Sequence, residues 1–318
     1  LVGASAPLQN IADMRTDGWE LSVGWRDHIG DWGYRLNLNV YDHKSKITKF
    51  NNLSGSIDNY YVGKALNSIY GYRADGYYSI DDFDMEKAKV GTWVLKEGIV
   101  SVSGYSVQPG DVKFKDLDGN GVIDAGGSTL ENPGDREIIG NSTSRYQFGG
   151  NLGVSWKGLD LNVLLQGVGK RDYWLGGAAL FPFGAAGADG VFWPLYYNQT
   201  DYWSAVSYDP QSPDYMVAKN PDAKLFRVYG QDGNAGSNAR VSDKYIQNAA
   251  YLRVKNVTLS YSFPSSLLRK VALDQLRLYV SVENLATFTS LPKGYDPESL
   301  SWSYPFYRTW SVGASITF

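Results

Sequence analysis

The sequence predicts an all-β protein whose long antiparallel strands form the wall of a transmembrane barrel, and three observations carry that expectation. Apolar and polar residues alternate along seven stretches, the links between those stretches are alternately short and long, and no stretch could be a transmembrane helix. The longest apolar run, Trp174 to Phe183 (WLGGAALFPF), has about half of the ~20 residues a spanning helix needs. Its adjacent glycines and its proline suit a loop or a packed corner.

The strands follow in order. Trp19, Leu21, Val23 and Trp25 alternate with Glu20, Ser22, Gly24 and Arg26, and after DHIGD the series Trp32, Tyr34, Leu36, Leu38, Val40 does the same. Tyr146, Phe148, Leu152, Val154 and Trp156 repeat the pattern, and KGLD leads on to Leu161, Val163 and Leu165. YLRVKNVTLSYSF alternates with one slip of phase near Asn256, where a β-bulge fits. LRLYVSVEN and TWSVGASITF complete the set, the last through Trp310, Val312, Ala314, Ile316 and Phe318.

Such strands also suit a soluble sandwich, so the links decide. They run 27–31, 43–145, 157–160, 170–248, 264–274 and 285–306, short and long in strict alternation. Structureless links that long count against a compact soluble domain, whereas outer-membrane barrels have short periplasmic turns and long external loops. If the last strand ends at Phe318 on the periplasmic side, every long link falls outside. Trp19, Trp25, Trp32, Trp156 and Trp310, near strand ends, fit interfacial girdles. Seven strands cannot close a barrel of this type, and an open edge in lipid is prohibitively costly. The expectation is therefore a C-terminal piece of a larger barrel, which also accounts for an N-terminus (LVGASAPLQNIADMRTDGWE) without signal-peptide features.

Composition removes other classes. Thirty Lys and Arg against 33 Asp and Glu give a net charge of -3, with no basic stripe for nucleic acid. There is no cysteine, hence no disulfide frame, thiolate nucleophile or zinc-thiolate site. His28 and His43 have no triad-like arrangement around them and read as surface histidines, and the acids of DDFDMEK (81–87) read as a solvated patch. The expectation is a protein that is not an enzyme, with no catalytic residues.

Several stretches resemble one family. GDVKFKDLDGNGVID followed by DREIIGN is similar to the middle of SusC/RagA-type TonB-dependent transporters of Bacteroidetes outer membranes. NLGVSWKGLDLNVLLQGVGKRDYW, YLRVKNVTLSYSFPSSLLRK, LRLYVSVENLATFTSLPKGYDPE and YPFYRTWSVGASITF resemble the family's successive C-terminal strands. The resemblance implies that residues 1–318 are the C-terminal part of a 22-stranded barrel with an N-terminal plug, and that 43–145 is a long extracellular loop. It further implies import of oligosaccharides or peptides driven through the TonB complex, with a SusD-like surface lipoprotein as a lid. Energy coupling is not expected on these residues, because they include no plug, TonB-contacting box or first barrel half. The sequence also departs from the family between Asp124 and Asp135, where it carries AGGSTLENPG.

DLDGNGVID has the spacing of a calcium loop. Asp116, Asp118 and Asn120 stand at positions 1, 3 and 5, Gly121 at the sharp turn, Val122 offers its carbonyl, and Asp124 is ninth. Gly127 occupies the position that normally carries a carboxylate, and by resemblance Asp135 takes that role with the insertion looped out. An Asp/Gly-rich turn without metal explains the same residues. The loop aromatics Trp174, Phe181, Phe183, Trp193, Tyr196 and Tyr197 could stack on sugar rings, anchor a partner or pack the loop. Trp310, Val312, Ile316 and Phe318 mark the terminal strand, which by resemblance the barrel-assembly machinery recognises through Phe318. Alternatively Phe318 is one more girdle aromatic.

Two functions follow: an outer-membrane nutrient transporter embedded in lipid, or a surface β-sandwich that binds glycans with calcium. A barrel wall exposes an apolar belt and a sandwich does not.

Overall fold

In the computed structural model, seven strands pair as one antiparallel sheet in chain order: β1 (Ala12–Ile29), β2 (Trp32–Phe50), β3 (Arg145–Trp156), β4 (Leu159–Lys170), β5 (Tyr251–Ser262), β6 (Gln275–Thr289) and β7 (Thr309–Thr317). The structure describes residues 10–176, 199–229, 235–300 and 306–318. Every other sheet among the described residues has two strands, so the stacked sheets that a sandwich requires are not formed. The seven-stranded sheet is open, with β1 and β7 at its edges, and the described residues form no closed barrel.

Register explains why one face is apolar. Leu36 pairs with Leu152, Leu152 with Val163, Val163 with Val257 and Val257 with Val282, forming one row across five strands. One residue along, Asn37 pairs with Asn151, and elsewhere on that face Asn162 pairs with Thr258 and Thr258 with Ser281. Because the side-chain period is two, a one-residue slip in any pairing would turn a strand's apolar set to the polar face.

The bulge expected near Asn256 is present. Leu164 pairs with Asn256 but Leu165 with Val254, which leaves Lys255 over. The extra residue keeps Leu252 and Val254 on the apolar side and brings Arg253 and Lys255 to the polar side. β3 and β4 are joined by Lys157 and Gly158, both at positive φ (44° and 90°), the geometry of a two-residue type I′ hairpin. Between β1 and β2 the link is shorter than the expected 27–31, because β1 continues to Ile29. His43, past the last alternating residue of the second stretch, lies within β2 because that strand continues to Phe50.

The long links are not structureless, which corrects the sequence-based expectation. Residues 46–142 and 173–247 belong to a compact unit of their own, separate from the unit that holds most of the sheet. Within it Ser68–Tyr72 pairs with Arg136–Asn141, Ala74–Tyr77 with Val112–Phe114, and Ser101–Val102 runs parallel to Val122–Ile123. Tyr78, Phe83, Phe114, Trp203 and Phe226 are fully buried in this unit. Ile80, Ala88, Tyr215 and Met216 pack with Trp203, and Trp93 stacks on Tyr215 at 6.3 Å. The acids of 81–87 are built into the fold and are not merely a solvated patch. Asp84 caps the helix Met85–Lys89 by accepting from the Glu86 and Lys87 amides, and Asp82 pairs with Lys113 at 3.1 Å.

Candidate functional site

The sheet itself is the first functional feature, because its apolar face is open. Leu21, Val23, Trp25, Leu38, Val154, Leu161, Leu259, Leu278, Val280 and Val312 are all exposed. Leaving such side chains in water forgoes about 1.5–3 kcal/mol each. Strand length agrees with a bilayer: β3, β4 and β5 have 12 residues each, which at ~3.3 Å per residue and ~45° tilt rises ~28 Å against a ~30 Å hydrocarbon core. No described helix is long and apolar enough to cross a membrane, which says nothing of strands.

Aromatics gather at the short-turn end. Trp32 stacks on its cross-strand partner Trp156 at 5.5 Å, Trp25 meets Tyr34 edge-on at 5.5 Å, and Tyr261 meets Phe263 at 4.9 Å. Lys157 lies over the Trp156 ring and pairs with Asp31 at 3.2 Å. Tyr146, on the same face near the other end of β3, is exposed. Exposed apolar side chains flanked by aromatics are the pattern of a lipid belt.

The polar face carries paired charges. Arg35 reaches across the intervening strand to Asp160, Nη2 donating to both carboxylate oxygens at 3.0 and 3.2 Å. Gly153 makes that crossing possible, since a Cβ there would lie 2.8 Å from Nε and Nη2 of Arg35. Nearer the long links, Arg145 pairs with Asp42 on β2. Thr258 and Asn256 both hydrogen-bond Ser281 Oγ, at 3.0 and 2.9 Å.

The second feature is the acidic turn. Ligand atoms of Asp116, Asp118 and Asp135 lie within 4.8 Å of one another. Asp116 accepts from the Gly119 and Gly121 amides, and Asn120 Oδ1 accepts from Val122 N. Asp135, fully buried, accepts from Leu117 N at 2.7 Å and from Asp124 N at 2.8 Å. Asp124 directs its own carboxylate to Gly126 N and stands outside the three-acid group. The insertion is a closed loop with its ends tied together, Asp135 N donating to Asp124 O at 3.2 Å. At its neck Gly126 and Gly134, both at positive φ, cross so closely that a Cβ on Gly134 would lie 2.4 Å from Gly126 N. This crossing is what returns Asp135 to Asp116 and Asp118.

Electrostatics divides the three acids. Amide donors, Gly121 first, hold Asp116 below the usual carboxylate range. Burial pushes Asp135 up, and the neighbouring Asp118 charge adds to the shift. Converging acidic oxygens with one carboxylate short of compensation fit a hard divalent cation.

Of the aromatics named from sequence, Trp174 is half-buried in the short strand Asp172–Trp174, its indole N–H inside the protein and without a hydrogen-bond acceptor among the described residues. Phe181, Phe183, Trp193, Tyr196 and Tyr197 lie outside the described residues. Trp310, Val312, Ile316 and Phe318 are exposed, the first three on edge strand β7 and Phe318 just beyond it.

Sequence reasoning passed over two buried groups. Asp111 accepts from Tyr229 Oη at 2.5 and 2.6 Å, from Asn238 Nδ2 at 2.9 Å and from Gln108 N at 2.8 Å. Arg253 is 2% exposed and meets Asp296 and Glu298. Only the slip of phase beside Asn256 hinted that Arg253 faces inward.

No protein-family model matches the chain. Individual relatives do. TonB-dependent receptor P3 of Formosa agariphila is 28% identical over 347 residues, covering 99% of this chain and 30% of the relative. TonB-dependent receptor SusC of Bacteroides thetaiotaomicron is 24% identical over 329 residues, covering 98% and 27%. Over nearly its whole length the chain is similar to TonB-dependent receptors, SusC among them. It spans about 30% of the length of the curated relatives it matches. Solved structures of the RagAB peptide transporter share the fold of this chain. One superposes with a TM-score of 0.60 at 21% identity, and the "closed-closed" state with 0.62 at 19%, each covering 98% of this chain and 30% of its own.

Proposed function

We propose that residues 1–318 supply the C-terminal strands and extracellular loops of an outer-membrane TonB-dependent importer whose complete wall is a 22-stranded barrel. The observation that carries this reading is the seven-stranded sheet with an exposed apolar face, aromatics clustered at its short-turn end, and a hydrogen-bonded polar face behind it. The polar face lines the water-filled side and the apolar face meets outer-membrane lipid. The cargo is a nutrient, an oligosaccharide or a peptide, taken up with energy delivered by the TonB complex. A SusD-like surface lipoprotein covers the loops, where Leu53, Val90, Val206 and Tyr208 are exposed. Purifying the complete protein from outer membranes in mild detergent tests this. The expected material is a heat-modifiable barrel with a lipoprotein lid and a bound oligosaccharide or peptide. A detergent-free soluble protein, or a transporter that purifies without a lid and whose uptake is unchanged when the neighbouring lipoprotein is deleted, goes against it.

In the same reading, Asp116, Asp118, Asn120, the Val122 carbonyl and Asp135 hold one calcium ion, with Asp124 close by. Its role is structural, pinning the 43–145 loop. Calcium is expected to protect this loop from protease in the complete protein, chelation to remove the protection, and Asp118→Asn to weaken it. Equal cleavage with and without calcium would leave the cluster a metal-free turn.

The terminal strand makes a further expectation. Deleting Phe318 should sharply lower the amount of assembled barrel in the membrane while sparing transport by molecules that insert. Normal surface levels with only lower thermal stability would make Phe318 a girdle residue instead.

A further inference from the structure

Arg253 and Lys255 stand on the polar side of the sheet because of the β5 bulge, and acids from the β6–β7 link meet them there. Arg253 Nη2 donates to Asp296 Oδ2 at 2.7 Å, Nε donates to Thr287 Oγ1 at 2.9 Å, and Nη1 lies 3.1 Å from Glu298 Oε1. Lys255 Nζ donates to the other oxygen of Glu298 at 2.9 Å, and both cations lie over the Phe306 ring. Two positive and two negative charges are thus matched, and the segment 290–300 closes over them until Arg253 is all but inaccessible. The segment's own contacts hold its acids in place. Asp296 also accepts from Glu298 N at 2.9 Å, Leu300 N donates to Asp296 O at 2.9 Å, and Leu291 and Leu300 are buried.

The fastening is conditional. Arg253 Nη1 and Glu298 Oε1 are buried and face each other as an ion pair, but among the described residues neither completes a hydrogen bond. A buried ion pair with unmet hydrogen-bonding capacity returns little more than the solvation its charges gave up, yet loss of one partner strands the other. Such a contact holds one closed geometry and can still be exchanged for water. A purely apolar clasp of the same size has no comparable hydrated state to open into.

We propose that segment 290–300 is a latch, fastened over the polar face of β5 and β6 by Arg253 and Lys255 against Asp296 and Glu298, and released to widen the passage along that face. The proposal rests on the barrel reading above for what the polar face lines. Its occupant is this chain's own loop, and its opening is a change in which the ion pairs hydrate while the strands stay paired.

The test uses the complete transporter in intact cells. Residues 1–318 contain no cysteine, so Leu291→Cys adds one buried thiol to this part of the protein. Its labelling by a membrane-impermeant maleimide reports opening of the segment. Arg253→Met, and separately the pair Asp296→Asn with Glu298→Gln, are expected to label at least about tenfold faster than the parent, with assembled barrel at parental levels. Unchanged rates in variants that assemble would overturn the latch, and so would failure of both variants to assemble, which would make the cluster a folding element. If Leu291→Cys labels only after cells are opened, the external placement of the loop fails. The ratio of rates measured on opened cells then still decides the latch.

Discussion

Leu38→Arg in the complete protein is expected to cut the amount of assembled barrel, whereas Asn37→Arg, one residue away, is expected to be tolerated. Leu38 is 43% exposed on the apolar face and pairs with Gly150, about midway between the levels of Trp156 and Tyr146. If that face meets hydrocarbon, an arginine near the midplane costs about 2–4 kcal/mol. Asn37 is also exposed, on the polar face opposite Asn151, where a guanidinium stays in water. A soluble protein predicts near-equality, because substitutions at exposed positions fall within about ±0.5 kcal/mol. Heat-modifiability of the outer-membrane fraction measures the difference. Equal levels for the two variants would mean that the apolar face is not in lipid.

The second large effect is expected at Asp111, where acid should strengthen the loop unit locally. Burial pushes its carboxyl up to about 6, against the opposing pull of Tyr229, Asn238, the Gln108 amide and the positive charge of Arg227. A folded-state pKa above the unfolded one means the native form binds the proton more tightly. The contribution is therefore fully present below the unfolded value near 4 and is lost as pH rises through about 6. The difference between about 6 in the folded protein and about 4 unfolded corresponds to about 2–3 kcal/mol. Hydrogen exchange at Val112 N, which donates to Asn238, and at Tyr78 N, which donates to the Asp111 carbonyl, reads this opening locally. After correction for intrinsic exchange, protection at both amides should rise from pH 7 to pH 5. Asp111→Asn should abolish that slope whatever it does to absolute stability. A slope retained in the variant would place the titrating group elsewhere.

The sheet was legible in the sequence because a sheet with one apolar and one polar face writes its geometry locally. Each strand alternates by itself, the Lys157–Gly158 turn is two residues long, and even the bulge shows as one slip of phase beside Asn256. The DLDGNGVID spacing was legible for the same reason, since the turn is made by neighbours. The interior of the long links was not. Asp111 meets Tyr229 and Asn238 more than a hundred positions away, and Trp203 packs with Ile80 and Ala88 across a similar span. No short-range period records such contacts. Arg253 looks like one more polar strand residue until Asp296 and Glu298 are brought to it from the β6–β7 link.

The most direct measurement of the central claim is accessibility along β2 in a bilayer. Single spin labels placed from Tyr34 to Val40 in the complete protein should show a period of two. Collision with lipid-soluble oxygen should peak at Tyr34, Leu36, Leu38 and Val40, and collision with a water-soluble nickel chelate at Arg35, Asn37 and Asn39. That alternation is what a strand between lipid and a water-filled lumen must give. Uniform access of the chelate to both sets would contradict it, because both faces of the sheet would then be in water.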